Sequence, residues 1–242
     1  MKKKVLIAAL LVALLAIMVT GSLAYFTAED KVDNTFTIGS VLIEIYENGE
    51  ETPNAAKPLG KLTPIVNTED PGADESYMDK VVKVKNTGAN AAYIRTHIAV
   101  PTALVEYLQL VVTDPLTGWE FVGTTTAEVG EDDLPYTVMT FDHTEAVEPG
   151  AFTAELLQGV YLKANVDLEE NASGDLVFIL CDSDGNEIAN SGFVAHKKTA
   201  NGYESVTVNI LVASEAIQAQ GFENGATNAL NSGFGQGTNP WQ

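Results

Sequence analysis

The chain has 242 residues, with 33 acids against 13 bases and a net charge of −20 at neutral pH. It offers no basic stripe to displace counterions from phosphate, which argues against nucleic acid and against adsorption to anionic lipid. The charge favours cations, basic surfaces, or further copies of the chain once divalent ions screen their repulsion.

The N-terminus runs Lys2-Lys3-Lys4, an apolar stretch Val5 to Val19, then Thr20-Gly21-Ser22-Leu23-Ala24. That order is a positive region, an apolar core and a small-x-small cleavage site. Residues 1–24 therefore read as a secretory signal peptide, with Ser22 and Ala24 in the small pockets of a peptidase and Tyr25 as the first mature residue. A membrane span needs about 20 apolar residues; here Thr20, Gly21 and Ser22 break the run, so membrane contact is expected only during export. Removing this segment takes away three lysines and no acid, leaving 218 residues at −23. A chain of that length buries about 70% of its unfolded surface and, when all-β, commonly forms one domain, here 25–242.

Most of that domain reads as strand. Residues 25–34 form a flexible lead-in, followed by a strand over 35–47 that ends at Asn48-Gly49. A loop rich in Pro, Asn, Asp and Gly fills 51–75, with a short extended piece near Pro64-Ile65-Val66. Lys80 to Lys85 and Ala91 to Val100 flank the Gly-containing connector Asn86 to Asn90, which predicts a hairpin. Apolar residues at 104, 105, 108 and 111 have helical spacing, so a short helix is expected over 102–111. Strands are expected at 119–122, 136–141, 152–156, 160–166, 176–181 and 192–196, and a long last strand at 204–213 continues to 219. Residues 221–242 read as a polar tail in which 226–230 has helical character. Many short strands at roughly ten-residue spacing predict an all-β fold, a two-sheet jelly-roll-like sandwich with short helical insertions.

Sites for chemistry are few. The three histidines His97, His143 and His196 fit no zinc motif. Asp182, Asp184 and Asn186 have the spacing that opens a calcium loop, but position 12 is Phe193 rather than a bidentate Glu, so a hairpin turn is favoured over a weak calcium site. Cys181 is the one cysteine; in an apolar strand of an acidic chain it reads as a core thiol rather than a nucleophile. No cofactor and no enzymatic activity are expected.

The export signal joined to Ala24-Tyr25-Phe26-Thr27, then Asn34-Thr35-Phe36-Thr37-Ile38-Gly39, resembles the TasA/camelysin family of exported matrix proteins. Lys83-Val84-Lys85-Asn86-Thr87-Gly88 and the strand ending Glu215-Ala216-Ile217-Gln218-Ala219 are similar to it as well. The resemblance covers the first 45 residues well and the middle third only in rhythm. It implies a bacterial source, a SipW-type signal peptidase as processing partner, and secretion to an extracellular matrix or cell surface. It also implies self-assembly into fibres, with other matrix proteins as further partners. An N-terminal segment presenting Tyr25, Phe26, Val32 and Phe36 has what donor-strand complementation requires, a free β-competent strand for a neighbour's groove. The expected function is a structural subunit of biofilm or surface fibres. The alternatives are a camelysin-like surface metalloprotease and a non-polymerising surface binding module.

Overall fold

In Met78–Asn86 (β2) every even-numbered residue is buried, and Val82 and Val84 have no exposure at all. That period of two turns one face of the strand to a core. The computed structural model describes residues 41–47, 63–113, 116–128, 134–222, 224–236 and 240–241. On one side β2 pairs antiparallel with Ile43–Glu47 (β1), and on the other with Leu157–Leu162 (β7), which pairs in turn with Leu108–Val112 (β4). The first sheet is therefore ordered β1-β2-β7-β4.

Ala92–Pro101 (β3), Trp119–Glu128 (β5), Pro135–His143 (β6) and Leu211–Gln218 (β12) form a second sheet, ordered β12-β3-β6-β5. A third contains Val166–Glu170 (β8), Leu176–Cys181 (β9), Glu187–Thr199 (β10) and Gly202–Ser205 (β11), ordered β11-β10-β9-β8. Val82 and Val84 from the first sheet, Ile94, Ile98 and Phe141 from the second, and Val166, Phe178 and Ala195 from the third belong to one apolar cluster. Full burial of each large aliphatic or aromatic side chain contributes roughly 1.5–3 kcal/mol. The molecule is all-β and sandwich-like, as its pattern predicts, and the third sheet adds to the expected pair.

The hairpin expected across 86–90 is not formed, because β2 and β3 lie in different sheets. Each strand buries a face in the common core, and the connector carries the chain from one sheet to the other. Buried Asn86 fixes this corner. Its Nδ2 donates to Asn90 O (2.8 Å) and Val147 O (2.7 Å), and its Oδ1 accepts from Gly88 N (2.9 Å).

The helix expected over 102–111 is also replaced. A single 3-10 turn covers Thr102–Leu104, and the β-branched end of the segment becomes β4. Four apolar positions cannot by themselves distinguish the two, and pairing with β7 decides it. The stretch 152–156 makes only an isolated bridge at Phe152, 160–166 breaks at a turn before β8, and the last long strand divides into β11 and β12. The turn at 182–186 does join β9 to β10 as a hairpin.

The segment read as a polar tail carries the single α-helix among the described residues, Ala226–Phe234 (α1), with Ala226, Ala229 and Leu230 buried. It lies against β3, β6 and β12. The second sheet is thus covered on both faces, which is why β3 is buried along nearly its whole length instead of alternating.

Candidate functional site

The residues assigned to peptidase cleavage and strand donation, Ser22, Ala24, Tyr25, Phe26, Val32 and Phe36, lie outside the described residues. Asp182, Asp184 and Asn186 sit in the β9–β10 turn. There Asp182 Oδ1 accepts from the backbone N–H groups of Asp184 and Asn186, each at 2.9 Å, and both its oxygens accept from Asn186 Nδ2. The Asn186 bonds, first from the backbone and then from the side chain, hold the Asp182 carboxyl below its usual range. Oδ1 takes three of the bonds from Asp184 and Asn186 and Oδ2 one, so both oxygens serve the turn.

The three histidines have separate surroundings. His143 Nδ1 donates to Glu145 O (2.8 Å) and its ring meets Trp119 edge-on, while His196 on β10 contacts Ser205. Among the described residues no three His, Cys, Asp or Glu side chains converge as metal ligands. Cys181 is half-buried rather than a core thiol, and burial followed by the charges of Asp167, Asp182, Glu187 and Glu169 pushes its thiol up.

Sequence reasoning missed the polar row beneath α1. On the outer face of the second sheet, strand register places Glu215, Arg95, Asp142 and Glu120 side by side. Arg95 and Asp142 have no exposure. Arg95 Nε and Nη2 donate to the two Asp142 oxygens at 2.7 and 3.0 Å, while Nη1 donates to Gly235 O (2.7 Å) and Nη2 also to Asn231 Oδ1 (2.8 Å). The planar guanidinium thus joins two strands to the C-terminal end of α1. One residue row along, His97 contacts Thr140 Oγ1 (3.0 Å) and Glu215 Oε2 (3.2 Å), and Trp241 meets its ring edge-on. Burial, the largest influence, lowers the His97 pKa against the opposing pull of Glu215. Thr140, His97 and Glu215 have the order of a nucleophile, base and acid. With Thr140 and His97 only 2% and 0% exposed, a substrate carbonyl has no approach to the hydroxyl in this closed form. The available signal was a charged residue type in each of two largely apolar strands, Arg95 inside β3 and Asp142 near the end of β6.

A more accessible feature borders β4, which ends the first sheet and has one strand neighbour among the described residues. A shallow groove of about 550 Å³ runs beside it, lined by Tyr77, Gln109, Leu110, Val111, Val112, Thr113, Leu116, Gln158 and Tyr161 together with Pro71 and Gly72. None of these side chains is ionised, although the chain has 33 acids. Gly159 shapes the floor: a Cβ there would fall 2.2 Å from the Tyr77 ring, so only glycine lets that ring lie across the strand. Tyr77 and Tyr161 have their centroids 6.2 Å apart. Gln109 Nε2 donates to the Leu110 carbonyl (3.0 Å) on this edge strand.

No known protein family, curated protein or solved structure matches the chain. The groove and the β4 edge, which has one strand neighbour among the described residues, therefore carry the functional reading on their chemistry alone. Unpaired N–H and C=O groups along an edge recruit another strand, and an apolar, uncharged wall beside them accepts its alternate side chains.

Proposed function

We propose that this chain is an exported structural protein of a bacterial biofilm matrix or cell surface whose copies join by strand donation. One copy gives its N-terminal segment, and the next receives it along β4. The observation that supports this best is the uncharged groove beside a strand edge in a chain of net charge −20. Main-chain hydrogen bonds to β4 supply affinity, and Phe26, Val32 and Phe36 fill the groove between Tyr77, Tyr161 and Leu116. Donor and acceptor are different surfaces of one chain, so the contact is head-to-tail and does not close on itself, which makes filaments.

Deleting residues 25–34 leaves every strand described above in place, so the truncated protein is expected to give the circular dichroism of the full mature chain. Electron microscopy of the same samples is expected to show filaments from the full chain and none from the truncated one. Filaments of normal yield from the truncated protein would refute the proposal.

A further inference from the structure

A second surface lies on the outer face of the first sheet, where Lys83 and Lys85 of β2 project beside Tyr46 of β1 and exposed Phe152. Their ammonium groups lie 5.0 and 5.4 Å from the Phe152 ring centroid, and Tyr46 meets that ring edge-on at 5.2 Å. Glu44 is paired across from Lys85, yet it accepts the Tyr46 hydroxyl at 3.0 Å instead. Lys80, the other lysine on β2, is neutralised by Glu47 on the buried side. Among the described residues, then, Lys83 and Lys85 have an aromatic face for company but no carboxylate partner.

The complementary arrangement is on the third sheet. Asp167 and Glu169 project from β8, an edge strand whose last four residues are all exposed. They sit among further acids: Glu187 hydrogen-bonds Glu169, and this bond with the Glu187 charge raises the Glu169 pKa. Asp167 and Glu169 are two residues apart, as are Lys83 and Lys85, so both pairs have a spacing of about 7 Å along a strand. Two crowded carboxylates, and two ammonium groups with no carboxylate partner among the described residues, thus occur at one pitch on separate sheets.

We infer that Lys83, Lys85 and Phe152 form a docking surface for a second copy of this chain, which presents Asp167 and Glu169 of its β8 edge. The contact joins unlike surfaces and propagates rather than closing. It does not rest on strand donation, since neither surface includes the N-terminal segment.

The test is sedimentation velocity on the full mature chain, with the charge reversals K83E/K85E and D167K/E169K measured alone and mixed. Circular dichroism checks the fold of each, and K83Q/K85Q serves as a milder variant. The wild-type chain is expected to self-associate. Each reversal is expected to weaken that association about tenfold, and the equimolar mixture to recover it between unlike chains. Folded variants that associate as wild type, or a mixture that recovers nothing, overturn the inference. So does a wild-type chain that stays monomeric but binds a polyuronate through Lys83 and Lys85, which makes the surface a polysaccharide site. The deletion of 25–34 tests strand donation separately, so the two ideas can fail independently.

Discussion

Asp142→Asn isolates the charge in the buried row under α1 without changing its shape. Arg95 would keep its bonds to Gly235 O and Asn231 Oδ1 but lose the anion that receives Nε and Nη2. Removing one partner of a buried ion pair costs about 3–5 kcal/mol, because the remaining charge stays desolvated. Two retained hydrogen bonds and a neutral amide acceptor place the expected loss at the lower end, about 3 kcal/mol. At roughly 2–4 °C per kcal/mol for a chain of this size, the melting temperature falls by about 6–12 °C. Urea unfolding gives the free energy, and amide exchange in 226–234 reports whether α1 loosens before the sheets do. Arg95→Met tests the same row from the other side: it strands Asp142 and also frees the helix end, so it is expected to cost more than Asp142→Asn. A loss under about 1 kcal/mol for Asp142→Asn, or a milder effect from Arg95→Met, would refute the view that this pair holds the helix down.

Buried His97 is held below its ordinary pKa, so the unfolded chain binds its proton more readily than the folded one. Stability is therefore expected to fall as pH drops through the unfolded value near 6.5, and His97→Gln to flatten that part of the profile in urea titrations at stepped pH. Asn86→Ala removes three hydrogen bonds at the corner between sheets, while the Val147 carbonyl keeps the Ala92 N–H; it is expected to cost about 2–3 kcal/mol in the same assay. Cys181, with its thiol raised by burial and four neighbouring acids, is expected to alkylate more slowly than a free thiol at mildly alkaline pH, and faster once salt screens those acids.

Strand existence was legible wherever alternation was strong, as in β2 and β6, and the β9–β10 turn was legible from Asp and Gly at the positions that need them. Sheet assignment was not. The connector at 86–90 has hairpin composition, and only the demand that both β2 and β3 bury a face in one core sends them to different sheets. The stretch 104–111 fits helix and strand alike until β7 supplies a partner. The row under α1 was hidden for another reason. Arg95 and Asp142 are 47 residues apart, and their helix contacts lie 136 and 140 residues from Arg95, distances at which a single sequence carries no pairing signal. The groove beside β4 left one trace, a glycine inside a strand at position 159, which marks a close approach without saying what approaches.

The double covering of the second sheet has a consequence for the order in which the molecule is completed. A chain that emerges from its N-terminus presents β3 more than a hundred residues before β12 and α1 exist to cover it. Until they arrive, the Arg95 guanidinium lacks its helix acceptors, and Ala99 and Val138 lack the cover that Leu211 and Trp241 provide. The fold therefore cannot close progressively along the chain. α1 acts as a completion signal: a product truncated before Ala226 would carry a wet, half-satisfied sheet face, open to degradation and to mispairing with other chains.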